Sequence, residues 1–453
     1  MSKVKSSYRC TNCDYKTFKW IGCCPTCQEW NSFVEEKEQP KSDKKSLFKG
    51  DAQAVQLFAL NQISDEKKER FCSGIKEWDR VLGGGILPGS FLILTGDPGI
   101  GKSTLLLQIA DSIARSGKKV LYFSSEESLQ QVKNRAQRLK ISSGDHFLFS
   151  DQSNLDGIIA TGKDKKPDLV IIDSIQNCIL SSSSTTIPGT IGQLREAGFC
   201  LMRFAKENSI ATIVTGHITK EGNIAGPKVL EHMVDGVFYL QGEDRWLTRV
   251  LRSVKNRFGT INEVGFFEMQ EKGLEEVTNI NKYLISDVSS APGSVLVCSV
   301  EGSRPLLLEL QALCVTSKFG MPQRIVTGLD YKRVCLIAAI LEKYLHIKFS
   351  SQDIFFKVSG GFSVKESAAD LGIALALLSS YFQAPVTSKS IAIGEINLAG
   401  HIKPTNHVNL RVKESEKFGM NEVLGSAAQK FNTSCKVNLF KNIYELLKLF
   451  PQD

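Results

Sequence analysis

With 453 residues, the chain is longer than one ordinary core accommodates, so two or three domains are expected. Lys and Arg number 56 against 48 Asp and Glu, and the formal charge of +8 permits polyanion binding without requiring it. The longest apolar runs, such as LGIALALL at 371–378, fall short of the roughly 18 residues a membrane span needs, and MSKVKSSYRC at the N-terminus lacks the apolar core of a secretory signal, so a reducing cytoplasm and no membrane partner are expected.

Five of the twelve cysteines fall in CTNCDYKTFKWIGCCPTCQEWN. The arrangement Cys10-x2-Cys13-x10-Cys24-x2-Cys27 gives two CxxC knuckles, each bending the backbone so that two sulfurs face one Zn2+. A segment this small has almost no core without the ion, so its folding should require metal. Cys23 competes with Cys24, but only Cys24 repeats the two-residue spacing of the first knuckle. A zinc ribbon over 1–34 is therefore expected, followed by a charged linker and lead-in over 35–70 that is broken by Pro40. The cysteines at 72, 178, 200, 298, 314, 335 and 435 are scattered among apolar neighbours and read as buried thiols.

From residue 91 the chain reads FLILTGDPGIGKSTLLLQIADSIARSG: an apolar strand, then Gly96-x4-Gly101-Lys102-Ser103, then a helix with Leu105, Leu106, Ile109 and Ile113 on one side. That order is the context a P-loop needs. Gly96, Asp97, Pro98, Gly99, Ile100, Gly101, Lys102, Ser103 and Thr104 form the expected ATP cradle, in which backbone N–H groups curl around phosphate oxygens. Lys102 neutralises the outer phosphates, and the Ser103 hydroxyl is placed for Mg2+. Further strands are predicted at 118–125, 168–174, 210–217 and 236–241, separated by helical patterns, and this alternation means a parallel sheet with helices on both faces.

Asp173 ends an apolar run where an open sheet places its ligand-contacting groups, so it is the expected carboxylate for the Mg2+ water shell. Glu126 and Glu127 are read as ending the preceding strand, where a carboxylate can orient the water attacking a γ-phosphate. Two adjacent residues of a strand face opposite ways; Glu126 is assigned the inward position, with Glu127 as the alternative. Two long segments leave the same edge, CILSSSSTTIPGTIGQ at 178–193 and HITKEGNIAGPK at 217–228. Their hydroxyls, with Lys220 and Lys228, suit the phosphates of single-stranded DNA, although both lack stacking aromatics; His217 is a candidate γ-phosphate sensor.

In KNRFG, at 255–259, Lys255 and Arg257 stand two apart at an expected strand end, so both can project the same way. Alone they read as a solvated basic hairpin. Beside a P-loop they gain a target, because cations that meet charge building on the γ-phosphate supply much of the rate of phosphoryl transfer, often from another subunit.

The cysteine ribbon, GDPGIGKST, LVIIDS, GHITKEG and KNRFG, in this order, resemble the RadA (Sms) family of bacterial DNA-repair proteins, and the resemblance covers almost the whole chain. It implies a RecA-like P-loop core in which Lys255 and Arg257 reach the neighbouring subunit's ATP and Glu126 is the base. It also implies an ATP hydrolase forming a hexameric ring on single-stranded and branched DNA. Such a ring would drive branch migration beside a RecA-type recombinase, in a nucleoid-associated cytoplasmic protein.

From about residue 281 to 453 a second α/β domain is expected after a core over 71–280, and GGFSVKESAADLGIALALL with IAIGEINLAGHIKPTNHVNLRVKESEKFG resembles the proteolytic domain of Lon. The rival function is then an ATP-driven Ser–Lys protease. Alignment on that pattern puts Ala368 at the nucleophile and Asn409 at the lysine, while Ser367 lies one residue off and Lys413 four off. The catalytic pair is therefore missing, and the domain reads as a ring scaffold with Lys343, Lys348, Lys357 and Lys365 as candidate DNA contacts. A third reading is a scaffold that uses ATP only as a switch.

Overall fold

The computed structural model describes residues 6–37, 59, 69–142, 144–180, 190–217, 230–242, 248–286, 288, 290–318, 320–387 and 389–451. The expected linker, apart from its ends and residue 59, lies outside them. Two compact units divide the chain: residues 1–240, 253–259 and 271–274 form the first, and 241–252, 260–270 and 275–453 the second.

The first unit begins with a three-stranded antiparallel sheet, β1 (Ser6–Cys10) lying between β2 (Lys16–Thr17) and β3 (Phe33–Lys37). Its core is little more than Cys10, Cys24 and Phe33. After the helix α1 (Lys76–Leu82) comes the α/β alternation read from the sequence: β4 (Phe91–Gly96), α2 (Lys102–Arg115), β5 (Val120–Ser124), α3 (Leu129–Arg138), β6 (Phe147–Ser150), α4 (Leu155–Lys165), β7 (Leu169–Asp173), α5 (Ile191–Asn208), β8 (Ala211–His217) and β9 (Gly236–Gly242). The strand order is β9-β4-β8-β7-β5-β6, with neighbouring strands paired in parallel. All six residues of β4 are buried, as a central strand covered on both faces requires. The sequence supplies this with FLIL, and α2 closes one face with Leu105, Leu106, Ile109 and Ile113.

The second unit is built on a seven-stranded sheet with strands in the order Arg324–Thr327, Gln352–Val358, Arg304–Thr316, Ser294–Glu301, Ser390–Ile393, Glu422–Ser426 and Lys436–Phe440. The strands Ser294–Glu301 and Arg304–Thr316 form a long hairpin, and the helices Tyr331–Leu345 and Asp370–Tyr381 make this unit α/β as expected. Residues Asp370 to Ser380 are buried on every side, which is why this stretch is apolar all round rather than amphipathic. The boundary set at residue 280 from sequence character does not coincide with the division of packing. The hairpin of β10 (Thr248–Asn256) and β11 (Val264–Gln270) places Val250, Val264 and Phe266 in the core that holds Leu308 and Leu310.

Of the scattered cysteines, Cys178 and Cys298 are buried as expected, whereas Cys72 is exposed. Leu375, at the centre of the fully buried helix, makes the dependence of the second unit on this helix measurable. Leu375→Ala is expected to cost about 2–5 kcal/mol, read as a lowered denaturant midpoint of the transition that contains this unit.

Candidate nucleotide site and metal centre

The P-loop runs from the C-terminal end of β4 into the N-terminus of α2, so its backbone N–H groups and the positive end of the helix dipole share one place. Gly96 is required here, because a Cβ would lie 2.1 Å from the Leu240 carbonyl oxygen of β9. Lys102 is buried, and its Nζ donates to the carbonyls of Gly96 at 2.9 Å and Asp97 at 3.0 Å. Burial pulls the ammonium below the ordinary lysine range, opposed by the charges of Asp173, Glu126 and Asp97. A desolvated cation facing a helix N-terminus is the donor set a polyphosphate needs, and half-buried Ser103 follows it on the same helical turn.

Asp173 closes β7 and is buried. Tyr122 of β5 donates its hydroxyl to Oδ2 at 2.9 Å, and Thr215 of β8 donates to Oδ1 at 2.6 Å, so the strands on either side fix the carboxylate. Burial, reinforced by Asp173, pushes the Tyr122 hydroxyl well above its usual range, which keeps it a donor. Neither hydroxyl was legible as part of the site; the available signal is a polar group interrupting an apolar strand.

The strand β5 ends at Ser124, so Glu126 and Glu127 lie in the loop beyond it rather than at its end. The difference arises because Ser124 and Ser125 take up the strand's last polar positions: Ser124 Oγ accepts the Glu127 N–H, and Ser125 exchanges hydrogen bonds with the Ser174 backbone. Glu127 is engaged by Arg135 of α3 through both oxygens, at 2.5 and 2.6 Å. Glu126 is the member of the pair whose charge acts on Lys102.

Backbone pairing sets His217 opposite Gly96, at the P-loop edge of the sheet, but its side chain lies outside the description. Residues 181–189 and 218–229, with Lys220 and Lys228, lie outside the described residues.

KNRFG sits at the other edge. The Arg257 N–H donates to the Asp235 carbonyl at 2.9 Å, and the Asp235 N–H to the carbonyl of Phe91, the first residue of β4, at 2.7 Å. Lys102 grips Gly96, the last residue of that strand. Five residue steps of strand separate the two ends, about 16 Å at roughly 3.3 Å per residue.

Asn256 and Gly259 have structural duties. Asn256 donates to the Leu82 carbonyl at 3.1 Å, capping α1, and a Cβ on Gly259 would lie 3.0 Å from Gly83 Cα. The cations turn to one side, as their spacing suggested: Lys255 Nζ donates to the Glu231 carbonyl, and Arg257 Nη1 reaches Asp235 Oδ1 at 3.3 Å.

In the ribbon, the sulfurs of Cys10, Cys13, Cys24 and Cys27 all lie within 4.8 Å of one another. Cys10 and Cys27 stand 3.6 Å apart and Cys13 and Cys24 3.4 Å apart, close to the about 3.8 Å sulfur separation of tetrahedral zinc with bonds of about 2.3 Å. The quartet therefore fits Zn2+. Cys23 points away, its thiol donating to the Gln28 carbonyl at 3.3 Å.

In the second unit Ala368 is buried and Asn409 exposed. Neither offers the hydroxyl or the amine of a Ser–Lys dyad, Ser367 lies in a short 3-10 turn, and Lys413 is exposed. Between these segments, buried Arg411 holds Glu366 through two bonds of 2.6 and 2.5 Å. Lys343, Lys348, Lys357 and Lys365 occupy separate positions on one helix, one strand and the stretches that follow them.

A parallel sheet carrying a P-loop and an acidic strand end defines a RecA-like P-loop nucleotide-binding core, here joined to a zinc ribbon and a Lon-like α/β domain. Family models agree: a rubredoxin metal binding domain matches residues 8–35, an AAA domain 66–223, and subunit ChlI of Mg-chelatase 319–428. The chain is 43% identical over 93% of its length to the DNA repair protein RadA of Listeria monocytogenes, covering 93% of that protein. It is 41% identical over 94% to RadA of Bacillus subtilis, again covering 94%. Among solved structures, the RadB recombinase aligns over 45% of this chain and 98% of its own, at 24% identity and a TM-score of 0.37. The chain belongs to the RadA family.

The ribbon geometry separates the adjacent thiols. Cys24→Ser is expected to lose the zinc that Cys23→Ser retains at one equivalent per chain, measured by metal analysis of the purified variants.

Proposed function

We propose that the protein is a DNA-dependent ATPase of recombinational repair, working as a ring of identical subunits on single-stranded and branched DNA. Relatives matched over 93–94% of their length are named DNA repair proteins. The observation that carries the mechanism is the separation of the P-loop from KNRFG at opposite ends of β4. Cations docked at the far end of a strand about 16 Å long have no route to their own γ-phosphate, but subunits repeating head to tail bring one chain's β4 base toward the next chain's P-loop.

In this reading the P-loop N–H groups and Lys102 bind the ATP phosphates. Ser103 and Asp173 would hold Mg2+, which would neutralise phosphate charge. Tyr122 and Thr215 keep Asp173 oriented. Glu126 orients the attacking water and accepts its proton on a carboxylate oxygen. Lys255 and Arg257 of one subunit meet the charge developing on the neighbour's γ-phosphate. Because those cations work only when subunits are in register, ATP state is coupled to movement between them, which suits a hexameric helicase driving branch migration beside a RecA-type recombinase. The localisation that follows is cytoplasmic and nucleoid-associated. A protease reading has no observation in its favour, since Ala368 and Asn409 stand where the dyad would be.

Steady-state ATP hydrolysis by the zinc-replete protein, titrated with single-stranded DNA at fixed salt, tests the proposal. Turnover is expected to rise with DNA, to be abolished in Lys102→Ala, and to fall at least about tenfold in Arg257→Ala with ATP binding retained. Turnover indifferent to DNA would favour the ATP-switched scaffold.

A further inference from the structure

The turn that precedes β9 is held from several directions. Leu230 and Val234 are buried in the core of the first unit, so the Glu231 carbonyl that receives Lys255 is fixed in place. Asp235, at the end of this turn, is 1% exposed. Its carboxylate accepts from the Phe91 N–H at 3.1 Å, from Lys206 Nζ of α5 at 3.2 Å, and from Arg257 Nη1 at 3.3 Å. A carboxylate removed from water is costly unless its oxygens are occupied, and the Phe91 N–H and Lys206 already occupy both of them. The contact to Arg257 adds a second cation to a carboxylate whose two oxygens already have donors.

The guanidinium carries five N–H donors in a rigid fork. One nitrogen rests on Asp235, while 53% of the side-chain surface stays in solvent. A long cation that must reach across a subunit boundary otherwise loses rotamer freedom at the moment of reaction, and anchoring one edge of the fork removes that cost beforehand.

We propose that Asp235 is a positioning residue for phosphoryl transfer: it holds one edge of Arg257 so that the opposite edge faces the ATP of the neighbouring subunit. This rests on the trans role proposed above for Arg257. Asp235 is buried and acts through the guanidinium, and the same turn sets Lys255 through the Glu231 carbonyl. Lys206, on the same carboxylate, has no part in the step.

The test uses the full-length protein with single-stranded DNA and ATP. Asp235→Asn keeps the size and an acceptor oxygen for the Phe91 N–H but removes the charge that holds the guanidinium. Its kcat is expected to fall about tenfold with KM for ATP within about twofold of the parent, and Asp235→Asn combined with Arg257→Ala should be no slower than Arg257→Ala alone. Lys206→Ala, which breaks the other ion pair of the same carboxylate, should keep parental kcat. A parental kcat in Asp235→Asn, or losses that multiply in the double variant, would overturn the assignment. Should Asp235→Asn fail to fold, Arg257→Lys decides. Its single ammonium cannot hold Asp235 and face outward together, so it should be as slow as Arg257→Ala, and a parental rate would overturn the proposal. Parental turnover in Arg257→Ala itself would instead remove the trans reading on which this one stands.

Discussion

The strand β4 ties the first unit together because its two ends carry different obligations. At its C-terminal end the chain must turn without a side chain at Gly96, since the Leu240 carbonyl occupies that space, and the turn delivers Lys102 onto the strand's last carbonyl. At its N-terminal end the first N–H and first carbonyl are both taken by Asp235, one through the side chain and one through the backbone. Burial of all six intervening residues makes the strand a rigid spacer, so the phosphate cradle and the KNRFG cations cannot drift relative to each other within one chain.

Separating the two ends distributes the chemistry. The P-loop end offers backbone N–H groups and one desolvated lysine; the groups proposed to answer charge on the transferred phosphate come from a loop whose asparagine and glycine are spent on structure. Within KNRFG, Asn256 and Gly259 dock the loop against α1 and Gly83, while Lys255 and Arg257 rest on the Glu231 carbonyl and the Asp235 carboxylate. In the second unit, buried Arg411 and half-buried Glu366 form an ion pair between the segments that carry Ala368 and Asn409.

Some parts of the site could be read from sequence because the physics demands particular residue types at fixed spacing. A P-loop needs glycines, a lysine and a hydroxyl in consecutive order, and a four-thiolate centre needs two bent knuckles; the choice of Cys24 over Cys23 followed from spacing, and the four sulfurs converge accordingly. What could not be read depends on partners remote in sequence. The hydroxyls of Tyr122 and Thr215 meet Asp173 only because β5 and β8 flank β7. Glu127 differs from Glu126 through Arg135, a helix away, which engages its carboxylate. Strand alternation was the wrong argument for those glutamates, since both lie past the strand end. Asp235 looked like an ordinary residue before a strand, and its importance appears only when Phe91, Lys206 and Arg257 are brought to it.

The central claim is that KNRFG serves the neighbouring subunit's nucleotide. Coexpression and copurification of Lys102→Ala with Arg257→Ala tests it most directly, because each mixed interface can pair an intact P-loop with an intact cation although neither chain has both. The account predicts that the mixed assembly hydrolyses ATP faster in the presence of single-stranded DNA than either variant does alone. A mixed assembly no faster than the two separate variants would mean that the cations act within their own chain, contradicting the account.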